Sequence, residues 1–483
     1  MEDSKLIQLL KTFSKTEMNE FGKFIKSPFF NESSKLISLY ELMKDSYPEF
    51  NTTSFNNNKI FWQLYPEEKK YDDKKVRSRL NLMLNLAEEF LIQMEMKKDI
   101  TASGNYILNQ FASRKLETHF NKKFRQMNEN IQKSDIINNK YFMDRYLMVK
   151  AKRNFYEFTK PRGKREEYYK EFSEETELLV KYSVIKLIKY YVIMRHDQDY
   201  LNYPFDYSFL QKLMEYIDEK KYSEYPIFGI FRNLLLLEEN FLNEKLFHET
   251  KLLFYENISF IEKEDAILII SKLYNLATKY FYSGKNKFVN IPFEIISQMI
   301  KHEIYPLENG YMSEIHYLDT VYTAFTVKEN EWAERFINDF RMKLNPEVRN
   351  NAFNYSLSLI EMIKENYPKA LEGFAKVRVD DFFYYMRIKY NKFRIYFEME
   401  DFETIFTEID SFKHYLSTNK VIPDDYRSRA SNFLSFFKRL VNARINNDYA
   451  DIALLKKILE DTDMELKSTL HMLIDKILKQ KKN

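Results

Sequence analysis

The chain has 483 residues, 45% hydrophobic and 30% charged, with 75 Lys+Arg against 72 Asp+Glu and a formal charge of +3. That composition is globular rather than disordered, and the near balance of charge argues against a strongly basic nucleic-acid binder. It has 7 Gly, 11 Pro and no Cys, too few glycines for a Rossmann-type nucleotide fold and no thiol for disulfides, zinc or iron–sulfur chemistry.

The chain begins Met1-Glu2-Asp3-Ser4-Lys5, without the basic and then apolar region of a secretory signal. No apolar run approaches the ~20 residues that span a bilayer. A cytoplasmic protein with no membrane association is expected. Ser14 and Glu17 have capping-box spacing, which opens a helix. Phe21 and Phe24 then face a core, Ser27-Pro28 stops the helix and Asn31 is expected to cap the next. This run, F-x-x-F-x-x-S-P-aromatic-F-N, resembles the opening of a family of uncharacterised bacterial all-helical proteins. The resemblance implies an α-helical fold and carries no activity.

Helical periodicity continues along the chain. Leu36, Leu39, Tyr40 and Met43 stand at i, i+3, i+4 and i+7. A long helix follows over 72–96, with a boundary expected at 99–104; the domain division that follows is a helical region 1–100 and a repeat region 101–483. Six prolines follow tyrosine, Pro48, Pro66, Pro204, Pro226, Pro306 and Pro368, and each marks a helix boundary. Segments 56–58, 160–164, 283–287 and 307–310 read as loops, and Gly104 and Gly284 as helix-end turns. Asn345-Pro346-Glu347 reads as a helix start. Phe382, Met386, Tyr390, Phe393 and Phe397 form one stripe, as do Leu466, Leu470, Leu473, Ile474 and Ile477. No alternating strand pattern is evident, so the expected fold is all-α, with about 20 to 23 helices.

Trp332, Tyr367 and Phe402 are spaced 35 residues apart, each preceded by an amphipathic helix and a short polar turn. In the middle copy Leu357, Tyr367, Ala370 and Phe374 resemble the tetratricopeptide repeat, clearest over about 315–420. That resemblance implies a right-handed α-solenoid of stacked antiparallel helix pairs, because one pair cannot bury its own apolar face.

No catalytic constellation emerges. His119, His196, His248, His302, His316, His414 and His471 include no two at metal-ligand helical spacing. No Walker, G-x-G-x-x-G or G-x-S-x-G pattern occurs. The paired acids Glu88-Glu89, Glu166-Glu167 and Glu174-Glu175 read as solvated helix faces. A non-enzymatic scaffold without cofactor or metal, offering a concave groove to a peptide or helix of a protein partner, is the leading expectation. The alternative is nucleic-acid binding through a basic segment: Arg145, Lys150, Lys152, Arg153, Lys160, Arg162, Lys164 and Arg165, interleaved with Tyr146, Phe155, Tyr156 and Phe158. Cations that release counterions and rings that stack on bases are what a single-strand binder uses.

Overall fold

The computed structural model describes all residues except 1–3, 51–54, 133–135, 160–165, 202, 221, 223–224, 241, 283–284, 380–381 and 481–483. It is all-helical, with twenty-three α-helices and one two-stranded ribbon among the described residues. The helices are α1 Lys5–Lys11, α2 Lys15–Ile25, α3 Ser34–Ser46, α4 Asn57–Leu64, α5 Asp73–Lys98, α6 Ile100–Ser113, α7 Glu117–Gln132, α8 Asn139–Thr159 and α9 Glu166–Leu201. They continue as α10 Leu210–Lys220, α11 Pro226–Glu239, α12 Glu244–Asn257, α13 Lys263–Tyr282, α14 Ile291–Lys301, α15 Glu314–Thr326 and α16 Asn330–Phe340. The remainder are α17 Pro346–Ile363, α18 Tyr367–Ala375, α19 Phe382–Glu398, α20 Phe402–Thr418, α21 Asp424–Ile445, α22 Tyr449–Asp461 and α23 Lys467–Gln480. The chain forms two compact units, 1–133 with 144–176, and 134–143 with 177–483.

In the first unit, α1 to α5 enclose one core that includes Leu10, Phe21, Leu39, Phe61 and Phe90. Ser14 and Glu17 make the full reciprocal capping box, and Asp72 caps α5. Asp99 closes α5 with its backbone N–H and caps α6 with its side chain. Asn31 departs from expectation. Its amide nitrogen donates to the Ile25 carbonyl at 3.0 Å and its oxygen accepts from the Ser33 N–H at 2.9 Å. It ties the end of α2 to the approach of α3, while Ser33 is the cap residue. Phe30 stacks on Phe24 at 4.0 Å, whereas Phe29 is 88% exposed and is not a core position. Gly104 lies inside α6, not at its end. A β-carbon there would come within 2.4 Å of the Met127 sulfur, so glycine allows α6 and α7 to approach.

All six Tyr-Pro prolines stand outside helices or in a first turn. The 56–58 segment is a helix start rather than a loop, with Asn56 accepting from the Lys59 N–H. The 307–310 segment is a hairpin. Leu307–Glu308 (β1) pairs antiparallel with Tyr311–Met312 (β2). Asn309 and Gly310 both have positive φ, 52° and 82°, which is the Asn-Gly signature of a type I′ turn.

The second unit shows the repeat more clearly in its turns than in its aromatics. Four successive hairpins, α15–α16, α17–α18, α19–α20 and α21–α22, each turn on one non-glycine residue with positive φ: Lys328, Glu365, Glu400 and Asn447. After each, the next N–H bonds back to the helix at 2.9 Å, from Glu329 to Ala324, Asn366 to Glu361, Asp401 to Tyr396 and Asp448 to Ala443. This is the Schellman closure, which satisfies helix-end carbonyls. Registered on these turns, Tyr367 and Phe402 are equivalent to Tyr449, and their counterpart in the first hairpin is Asn330, two residues before Trp332. The spacing of Trp332 is therefore off register, because the turn and not the ring fixes the repeat. Glycine would relieve the left-handed strain at Lys328, Glu365 and Glu400. Each Gly substitution is expected to stabilise by about 0.5–1 kcal/mol after the entropy glycine adds to the unfolded chain. Urea unfolding of the triple variant should show a higher midpoint; an unchanged or lower midpoint would contradict this.

Candidate functional site

Of the sequence-based candidate, the basic segment, Arg145, Lys150, Lys152 and Arg153 lie on α8. Arg145 pairs with Glu174 at 2.7 Å and donates to Asn128 at 3.1 Å. Lys152 pairs with Glu171, and Arg153 with Glu175, both at 2.5 Å. Glu171 and Glu175 are buried, so these cations face inward. Although burial opposes its charge, Glu175 and Tyr168 hold the Arg153 guanidinium above its ordinary pKa. Lys150 stands apart, its amine 3.5 Å from the Tyr146 hydroxyl. Lys160, Arg162, Lys164 and Arg165 lie outside the described residues. Of the interleaved rings, Phe155 is buried and stacks on Phe120 at 4.3 Å, while Phe158 is 51% exposed.

A different site lies in the second unit: a cleft of about 410 Å³, within the range of ligand pockets. Its walls come from the leading helix of each successive pair. From α13 come Tyr274, Asn275, Thr278 and Phe281, one helical face at i, i+1, i+4 and i+7. Helix α15 gives Ile315, Asp319, Tyr322, Thr323 and Thr326; α17 gives Tyr355. Helix α19 gives Met386, Arg387, Tyr390, Asn391 and Arg394, and α21 gives Tyr426. Val289 and Pro292, at the start of α14, and Glu465, Leu466 and Thr469, at the start of α23, complete it.

The lining combines apolar surface with ordered polar groups. Arg387 is bound by Asp319. Burial weakens a charge here, yet Asp319 overrides it and holds the guanidinium firmly protonated. Asn391 donates to the Tyr355 hydroxyl at 3.0 Å, and the Tyr274 hydroxyl and Thr323 Oγ1 are 2.9 Å apart. Burial raises the pKa of Tyr274, Tyr322, Tyr355 and Tyr390, so their hydroxyls remain neutral donors. Burial also lifts Glu465 above the usual carboxylate range, against the pull of Arg429 3.3 Å away.

The cleft was not identified from the sequence, although a signal was present. Arg387, Asn391 and Arg394 repeat at i, i+4 and i+7, a second helical stripe beside the apolar one that defined α19. Among the described residues no group of three His, Asp or Glu side chains could hold a metal ion, and no helix is long and apolar enough to cross a membrane. His316 is buried, and its Nε2 has no hydrogen-bond partner among the described residues. No protein-family model, curated protein or solved structure matches this chain. The reading of its function accordingly rests on the geometry of the cleft.

Proposed function

We propose that the chain is a non-enzymatic, cytoplasmic helical-repeat scaffold that holds a peptide segment of a partner protein in the cleft of its second unit. In this reading the helix pairs stack as a right-handed α-solenoid of the tetratricopeptide-like kind, and the cleft is its concave groove. The observation that carries it is the alternation: among the described residues α13, α15, α17, α19, α21 and α23 line the cleft, α16, α18, α20 and α22 do not, and α14 reaches it only with Pro292 in its first turn. A wall built from every second helix is how stacked pairs form a shared binding surface. The recurring Schellman turn supports the same reading, because it gives successive pairs one hairpin geometry. Of the five tyrosines on the lining, Tyr322 and Tyr426 are half-buried and offer amphipathic contact area at small entropic cost, as binding surfaces favour.

The test is selection from a displayed random-peptide library against the full chain, repeated with Thr326→Trp. Thr326 is exposed on the cleft wall, so the indole fills the groove without entering the core. Selected peptides should lose at least tenfold in affinity with the variant, while its thermal unfolding stays unchanged. Failure to enrich any peptide, or binding indifferent to Thr326→Trp, would sink the proposal.

A further inference from the structure

Charge around the cleft is unevenly compensated. Arg387 is neutralised by Asp319, and Glu465 by Arg429, which also pairs with Asp425 at 3.1 Å. Arg394 differs. It is exposed, lies on the cleft wall two turns beyond Arg387, and has no ion pair among the described residues. Phe281, Pro292, Ile315 and Met386 add apolar side chains to the same lining.

Resting on the peptide-binding reading above, we infer that the cleft selects an extended partner segment with an apolar side chain beside an aspartate or glutamate. The apolar side chain packs on Ile315 and Met386. The neighbouring carboxylate pairs with the exposed Arg394 guanidinium. A side-chain carboxylate fits better than a chain terminus. A terminal carboxylate drawn into the cleft needs several converging donors, but Arg387 is held by Asp319 and Asn391 already donates to Tyr355. Arg394 offers one exposed guanidinium, which matches one carboxylate that stays near solvent.

The experiment uses libraries displayed with blocked and with free C-termini against the full chain, then measures selected peptides on wild type and Arg394→Glu. Arg394 is exposed and unpaired, so the charge reversal leaves folding intact, checked by thermal unfolding. Blocked-end peptides should be enriched in Asp or Glu next to Leu, Ile, Met or Phe. Their affinity should fall at least tenfold with Arg394→Glu and recover in part when the peptide's acid is replaced by Lys. It should also weaken as salt rises. Peptides that bind without acidic preference, or ignore Arg394→Glu, overturn this inference and leave the scaffold reading standing. Selection only of free C-termini overturns the side-chain assignment. If no peptide depends on the cleft, both fall.

Discussion

Replacing Arg153 by methionine is expected to destabilise the protein by about 3 kcal/mol, because it leaves a carboxylate buried without its counter-charge. The Arg153 side chain is 15% exposed and that of its partner Glu175 10%, with Nε 2.5 Å from the carboxylate. Removing one member strands the other in a medium that solvates it poorly. Removing both, as Arg153→Met with Glu175→Leu, should restore most of the loss, since packed apolar groups substitute well for a buried pair. Urea unfolding of the two variants measures this directly; Arg153→Met as stable as wild type would contradict it. The result bears on the nucleic-acid alternative. Reversing Lys152 and Arg153 to glutamate places new anions against Glu171 and Glu175, so lost nucleic-acid retention would report unfolding rather than a lost contact. Lys150→Glu is the cleaner probe, because among the described residues its amine meets a tyrosine and no carboxylate.

Acidification should destabilise the second unit through His316. The imidazole is 7% exposed, and burial lowers its pKa from 6.5 to about 4, with Asp319 opposing the shift only partly. Above pH 6.5 both folded and unfolded forms are neutral and the residue has no effect. Below it the unfolded chain binds a proton that the folded protein refuses, so stability falls as pH drops from 6.5 towards 4. The full loss is about 3 kcal/mol, of which about 2 kcal/mol is reached at pH 5. His316→Phe keeps a ring beside Tyr305 and removes the titration. The difference in unfolding free energy between pH 7 and pH 5 should shrink by about 2 kcal/mol in the variant. An equal pH dependence in both proteins would show that His316 is solvated.

The sequence conveyed the helices because their signals are local. Ser14 with Glu17, Asp72 and Asn345 each cap where side-chain chemistry alone places them. The hairpin at Asn309-Gly310 was equally local, but two-residue strands leave no alternation to see. The repeat register was harder. It is carried by backbone conformation at Lys328, Glu365, Glu400 and Asn447, residues whose types do not announce a left-handed turn. The candidate site was least legible. A basic run such as Arg145 to Arg165 is visible along the chain, whereas its carboxylate partners on α9 are known only once α8 and α9 pack. The cleft draws on residues from Tyr274 to Thr469, and only α19 carried a trace of it in its own polar stripe.

Hydroxyl-radical footprinting of the full chain with and without a selected peptide reads the occupancy of the cleft from its own side chains. Tyr322, Tyr426 and Leu466, half-buried on the cleft wall, should lose reactivity on binding while exposed Phe29 and Phe158 do not. Protection at Phe158 with the cleft residues unchanged would contradict it.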